Sequence, residues 1–439
     1  MENLVTLNDL LIEPFYIDLS NECRKSLINK SLAKIGSIEH LVKKLNCSKK
    51  SLSEIVSGQT KYGRRFIPAH FLKNLLSILS LDALNIENYV LHLKMGRNTR
   101  EVAIKLPLRS SPELSILVAK ALGDGCICSD WRFDYKNNSM ELLDEVIMAV
   151  EKAIGKSKFT LNNRGNNCYD LKFSPVIGYI LYLLGVPKSY KINQEAKIPY
   201  WIKNGDTEIK RSFLRGMYDD ESCVDAKGKR IIIALGKTKK FEASLKNFLN
   251  SIRNMLKSFG IDSAHINLQK EYGENVMLRF GIYGRNNFRR FQEEIGFTNT
   301  QKSKALESLN SSYLDLHKTK NQIFKTIINS SIPFNTLDVA KINKIGCKSA
   351  TFHLSNLFYE GKINKSHNTR PIIWWIPHVK LPNNKDRILE LLSKKELTAS
   401  NISKSLLLDY KYVFSLLKNL ESKDLVKHCN SHPRIWTIN

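Results

Sequence analysis

Cysteine is sparse in this chain and follows no ligand pattern. Eight cysteines lie at positions 23, 47, 126, 128, 168, 223, 347 and 429, with no CxxC pair and no zinc spacing. That excludes a zinc module or a disulfide scaffold legible from spacing. Cys126 and Cys128 lie two apart, which on a strand puts both on one face and reads as packing. A secretory leader and an apolar run of about 18 residues are also missing, which excludes a helical membrane span. The expectation is an intracellular protein with reduced thiols and no membrane association. Acid is in short supply: 42 Asp and Glu face 68 Lys and Arg, a net charge of +26 and a pI of about 9.6. Such an excess points to a polyanionic partner, nucleic acid first and an anionic membrane surface second.

What is present suffices for several cores, since 42% of the 439 residues are hydrophobic. The length suggests two to four domains. The positive excess is uneven: +7 over residues 1–110, +7 over 111–316 and +12 over 317–439. The flanks therefore read as binding parts, and the middle as a part that also needs acids.

In the N-terminal part, SIEHLVKKLNCSKKSLSEIVSG (37–58) has Ser37 as a helix cap, followed by Ile38, Leu41, Val42 and Leu45 at helical spacing. Asn46 suits a tight turn. Ser48 can cap a second helix whose Leu52, Ile55 and Val56 face inward, leaving Lys49, Lys50, Ser51 and Ser53 outward as candidate DNA contacts. This resembles the phage-repressor type of helix-turn-helix, expected over residues 1–105. KYGRRF (61–66) reads as a basic loop, and IPAHFLKNLLSIL (67–79) as a core helix.

The C-terminal part repeats itself. HLSNLFYEGKI (353–363) matches LLKNLESKDLV (416–426), and both units end in Ile-Trp-x-Ile at 373–376 and 435–438. Each unit resembles a winged helix, expected over 318–379 and 384–439, with a short linker at LPNNKD (381–386).

The middle repeats too. LVAKALGDG (117–125) and LRGMYDDES (214–222) lie 97 positions apart, each followed by a hairpin, a helix, a second strand pair and a helix. The second motif ends in Asp219, Asp220 and Glu221, although acids at a helix C-terminus are disfavoured by the helix dipole. A nearby cation would remove that conflict.

Together these motifs resemble the LAGLIDADG homing endonucleases in their single-chain, two-motif form. The resemblance covers about residues 110–310, with halves at 106–205 and 206–312. It implies an α+β fold of two pseudo-symmetric αββαββα halves, whose antiparallel sheets form a saddle over the DNA major groove. The motif helices pack side by side, and the small residues Ala119, Gly123 and Gly216 would permit the close approach. The matching positions make Asp124 and Glu221 the catalytic, metal-holding carboxylates, with Mg²⁺ as cofactor and Mn²⁺ as substitute. Lys172, Lys191 and Lys302 are candidates for the basic residue near each metal; each could equally be a solvated lysine or a phosphate contact. Arg132 and Lys136, with Lys227 and Lys229, are candidate DNA-reading residues on strands, or an ordinary solvated face.

The motif departs from the family at Ser222, where Gly is commoner, at Asp220, where a small residue is usual, and at Glu221, where Asp is commoner. The chain starts with Met1 and ends in Asn439 without a preceding His, so a free-standing protein rather than an intein is expected. The resulting expectation is a monomeric endonuclease acting on double-stranded DNA. Its rivals are a transcription regulator with a non-cleaving domain and an RNA maturase.

Overall fold

The computed structural model describes residues 3–60, 63–311, 316–329, 333–366, 372–377, 383–406, 408–429 and 433–439. Lys61 and Tyr62 of the basic loop, and Leu381 and Pro382 of the linker, lie outside the described residues. Two compact units divide the chain, Met1–Ser312 and Tyr313–Asn439. All eight cysteines are free thiols. Among the described residues, no helix is long and apolar enough to cross a membrane.

In the first unit, helix Asn21–Ile35 is followed by helices Ile38–Lys44 and Lys49–Ser57, capped by Ser37 and Ser48, whose hydroxyls accept from the amides of His40 and Ser51. Asn46 between them has φ 50°. Leu41, Leu45, Leu52 and Ile55 are buried, whereas Ile38, at the first helical position and ahead of the buried face, stays 41% exposed. Ser51 is half-buried and accepts the Ser48 hydroxyl, so Lys49, Lys50 and Ser53 are the candidates exposed on helix Lys49–Ser57. The core helix runs Ala69–Leu79 rather than from Ile67, because Ile67–Pro68 is a strand.

A four-stranded antiparallel sheet, absent from the sequence reading, joins these helices: Ile67–Pro68, Phe15–Leu19, Val90–Met95 and Val102–Ala103, in that order. Its strand FYIDL lacks clean alternation because Asp18 is buried too, ion-paired with the buried Arg24. The Arg24 guanidinium, on helix Asn21–Ile35, also donates to the carbonyls of Leu19 and Arg65, at 2.7 Å each, tying that helix to the sheet and to the segment after helix Lys49–Ser57.

The central part holds the two halves. Helix Pro112–Leu122 leads to strands Gly125–Ile127 and Phe133–Asn137, helix Met140–Ala153, strands Thr160–Asn163 and Tyr169–Lys172, and helix Pro175–Leu183. Helix Thr207–Glu221 leads likewise to strands Ser222–Asp225 and Arg230–Thr238, helix Glu242–Ser258, strands Asn267–Tyr272 and Asn275–Tyr283, and helix Arg285–Glu294. Numbered within its half, each sheet has strand order 1-2-4-3 and is antiparallel throughout. The fold is α+β, with αββαββα twice.

The two motif helices start alike. Ser111 caps the first, and Asp206 the second, through backbone amides three residues on, at 3.2 and 2.9 Å. They pack against each other at their small residues. A Cβ on Gly216 would lie 2.8 Å from the Ala119 Cβ, a distance that close-packed side chains do not adopt. The Ser115 hydroxyl donates to the Ile209 carbonyl across the pair at 2.7 Å.

The second unit contains two separate cores. One gathers Ile323, Val339, Leu354, Leu357, Ile363 and Trp374, and the other Ile388, Ile402, Leu417, Leu420, Val426 and Trp436. Each core lies under three helices and a three-stranded antiparallel sheet with the tryptophan strand in the middle. In each, a two-residue strand, Phe334–Asn335 or Leu397–Thr398, leads directly into the second of the three helices.

Candidate active site

Both motif helices end at one place, and the carboxylates of Asp124 and Glu221 meet there. The C-terminal turn of a helix carries unsatisfied carbonyls and partial negative charge. Here each end is met by one lysine. The Lys191 ammonium donates to the carbonyls of Ala121 at 3.2 Å and Leu122 at 2.9 Å, and also to that of Gly123. The Lys302 ammonium donates to the carbonyls of Tyr218 at 3.1 Å and Asp219 at 2.5 Å. Both lysines stand in the segments after their half's closing helix, and burial lowers the pKa of each, against the pull of nearby carboxylates.

The three acids that end the second motif divide their roles. Asp219 turns inward and accepts from the backbone amides of Thr298 at 3.1 Å and Asn299 at 3.0 Å. Asp220 reaches across to the first helix, accepting from the Asp124 amide at 3.2 Å, the Lys120 ammonium at 3.0 Å and the Tyr135 hydroxyl at 2.8 Å. It can do so because its counterpart is Gly123, where a Cβ would come 2.6 Å from the Asp220 Oδ2. Glu221 is the acid left over: among the described residues, no donor lies within hydrogen-bonding distance of its carboxylate.

Beneath this layer lies a fully buried lysine. Lys120 faces Asp220, Glu145 at 3.3 Å and Asp219 at 3.8 Å. Burial opposes its charge, and Asp220, Asp219 and Glu145 more than restore it, leaving its pKa raised. An unpaired charge there would cost several kcal/mol, so the acids and Lys120 require one another.

Asp124 stands exposed at the foot of the first helix, its Oδ2 accepting from the Asn137 side-chain amide at 2.9 Å. Although the residue reaches the surface, the protein packed around its carboxyl strips part of its hydration, and this with the Asp220 charge pushes the carboxyl up to about 6, against the pull of Lys191. Glu221 is pushed up to about 7 by burial and by Asp124, again opposed by Lys191. The Asp124 charge disfavours ionisation of Glu221 beside it. Beside Glu221 opens a cavity of about 230 Å³, which Lys191 and Lys237 also line. Lys237 donates to the Lys191 carbonyl, and burial pushes its ammonium down to about 8.

A divalent cation fits this donor set in charge and hardness, since Asp124 and Glu221 offer oxygens and repel each other without one. The pair does not make a complete cage: among the described residues, no group of three or more His, Cys, Asp or Glu gathers as a metal would need. Water and substrate oxygens would have to fill the remaining positions.

The other predicted residues lie apart from this cluster. Lys172 pairs with Asp170 at 3.3 Å and stands opposite Asp134 in the sheet. Arg132 precedes its strand, held by Asp130 at 2.7 Å, while Lys136 is exposed within the strand. Lys227 and Lys229 occupy the exposed turn between two strands rather than a strand face, and Lys229 has φ 49°. Ser222 needs no glycine, because its backbone is extended at φ −112°. Its hydroxyl donates back to the Tyr218 carbonyl at 2.5 Å. The sequence reading missed Lys120, Tyr135, Asn137 and Lys237. The lysine inside the apolar run LVAKALG was the one available signal.

Residues 208–296 match the LAGLIDADG-like domain family. The tRNA-splicing ligase RtcB of Methanopyrus kandleri is 30% identical over 119 residues, covering 26% of this chain and 12% of the relative. The glutamine–fructose-6-phosphate aminotransferase of Methanocaldococcus jannaschii is 23% identical over 341 residues, 76% of this chain and 29% of the relative. The chain thus spans well under a third of the curated relatives it matches. A ligase and an aminotransferase share no reaction, so neither named activity carries over to this chain. Among solved structures, the homing endonuclease I-DmoI in complex with DNA and Ca is 17% identical with a TM-score of 0.32, covering 45% of this chain and 97% of that one. Full-length DUF199/WhiA from Thermatoga maritima is 16% identical with a TM-score of 0.34, covering 71% and 91%. Both superpositions are loose. The match places a LAGLIDADG-like domain in the second of two αββαββα halves, whose motif helices pack through Ala119 and Gly216.

Proposed function

We propose that the protein is a site-specific endonuclease that hydrolyses both strands of a long, asymmetric DNA duplex with Mg²⁺ or Mn²⁺. One observation carries this reading: two carboxylates from different halves, Asp124 and Glu221, converge at helix ends whose carbonyls are already met by lysines. A protein that only bound DNA would gain nothing from carboxylates that repel phosphates.

Asp124 and Glu221 would hold the metal, which when bound supplies an activated water and stabilises the leaving oxygen. Asn137 orients the Asp124 carboxylate. Lys191 and Lys302 hold the two helix ends and keep positive charge close to the acids. Asp220, Lys120 and Tyr135 fix the spacing of the helices, and with it the separation of the two acids. The sheets present their outer faces to the major groove. The N-terminal helix pair, through Lys49, Lys50 and Ser53, and the two tryptophan-closed C-terminal cores, as winged helices, extend the footprint and the affinity. Both half-sites are served by one chain, so a monomer suffices.

The test is cleavage of a library of long duplexes in Mg²⁺ and in a chelator, with the new ends sequenced. Ends at one site that vanish with the chelator and in Asp124→Ala support the reading. Selective binding to duplex without cutting would favour a regulator, and binding to structured RNA without cutting a maturase.

A further inference from the structure

The outer faces of the two sheets differ in chemistry. In the second half, strands Arg230–Thr238 and Asn275–Tyr283 pair with Ile232 opposite Gly281, Ala234 opposite Arg279 and Gly236 opposite Met277. The alternate residues Ile231, Ile233, Val276, Leu278, Phe280 and Ile282 are at most 4% exposed and form the core. By the two-residue period of a strand, Ile232, Ala234 and Met277 point the other way, and all three are part-exposed. Gly281 makes room for the Tyr283 ring, which a Cβ there would meet at 2.7 Å. The Tyr272 hydroxyl lies over Gly236, in ordinary contact at 3.4 Å from where its Cβ would be. The result is a shallow apolar trough bordered by two tyrosines, with Arg279 at its centre and Lys270 and Arg230 at its margin. Asp225 on the same face is engaged by Arg230 at 2.9 Å.

The same face of the first half is polar. Asp134, Lys136, Asp170, Lys172, Thr160 and Asn162 occupy the matching rows. Nothing in the repeat of the fold requires this difference, so it belongs to what each face meets.

Part-exposed Ile232, Ala234 and Met277 beside the exposed Tyr272 and Tyr283 give this outward face an apolar component that a partner can cover. The cations within and around it select a polyanion over an apolar protein partner. In a major groove, the feature that apolar side chains read is the thymine 5-methyl group. Resting on the DNA reading above, we propose that the second-half sheet recognises an A·T-rich half-site through thymine methyls packed on Ile232, Ala234 and Met277. The first-half sheet, by contrast, reads its half-site through hydrogen bonds.

The test uses the full chain and the duplex it selects from a random library in chelator. That duplex is resynthesised with deoxyuridine for thymidine in one half at a time, which removes only the methyl groups. The expected result is affinity about fourfold weaker per methyl lost in one half and little change in the other. In an Ile232→Ser, Met277→Gln double variant that uracil penalty disappears. Because the change is made in the DNA, the result does not depend on a variant folding. Equal affinity for thymine and uracil duplexes in both halves, or a penalty that survives the double variant, overturns methyl recognition while the DNA reading stands. Failure to select any duplex sequence overturns both.

Discussion

The two motif helices end in GDG and DES, and the positions where they differ explain one another. Gly123 in the first stands where Asp220 does in the second, and the missing side chain is the space that Asp220 fills. Lys120 in the first stands where Met217 does in the second, and it is Lys120 that neutralises the intruding acid. Gly125 and Ser222 differ for a steric reason. A Cβ on Gly125 would come 2.8 Å from the Ala121 Cα, the Lys120 carbonyl and the Phe133 ring, whereas Ser222 has an extended backbone and its buried hydroxyl donates to the Tyr218 carbonyl. What does not differ is the acid at the foot, Asp124 or Glu221, and the lysine that meets the helix end, Lys191 or Lys302. Symmetry is therefore kept where chemistry is proposed, and has drifted where packing alone must be satisfied.

The largest way to break this comparison is to remove one foot. Asp124→Ala and Glu221→Ala should each lower double-strand cleavage by at least about a hundredfold, measured on the selected site. Duplex binding should hold or tighten in both, because an acid facing phosphate has gone. Loss of binding in both, with the fold intact, would count against placing the site here.

Next comes the buried charge. Lys120→Met makes the first helix resemble the second and strands Asp219, Asp220 and Glu145 without their cation. The expected cost is about 3–5 kcal/mol in denaturant unfolding. That cost should shrink as pH falls and Asp219, whose pKa burial raises, protonates, and a pH-independent loss would contradict the role given to Lys120. Gly216→Val drives a side chain into Ala119 and should cost about 1–3 kcal/mol, read as a lower Tm. A neutral result would mean that the helices are not in contact there.

The pH dependence follows from the raised acids. Protons compete for Asp124 near pH 6 and for Glu221 near pH 7, so Mn²⁺ affinity should rise from pH 6 to pH 8 and then level off. Affinity flat across that range would contradict the coupling of the two acids. The smallest effect is expected from Ser222→Gly, under about 1 kcal/mol, because the extended turn does not need glycine. Gly125→Ala, by contrast, should be clearly destabilising.

Much of this was legible in the sequence. Two motifs 97 residues apart, each followed by the same succession of hairpins and helices, carried the αββαββα plan, because amphipathic periodicity is a local signal. Asp124 and Glu221 were legible as motif positions, and Lys191 and Lys302 as basic residues after each closing helix. What was not legible depended on contacts between distant parts of the chain. Lys172 looked equivalent to the other lysines but is held by Asp170 on the sheet. Lys120 is met by Asp220, 100 residues later, a contact that no local pattern carries. The N-terminal sheet escaped notice because two of its four strands are two residues long and a third buries Asp18.

The most direct measurement is strand-resolved cleavage of the selected duplex by the wild type, Asp124→Asn and Glu221→Gln, in Mg²⁺ and in a chelator. The account predicts that the wild type cuts both strands at one site in Mg²⁺ only, and that neither variant makes the double-strand break. A wild type that binds the same site tightly and leaves both strands whole in Mg²⁺ and Mn²⁺ would contradict it.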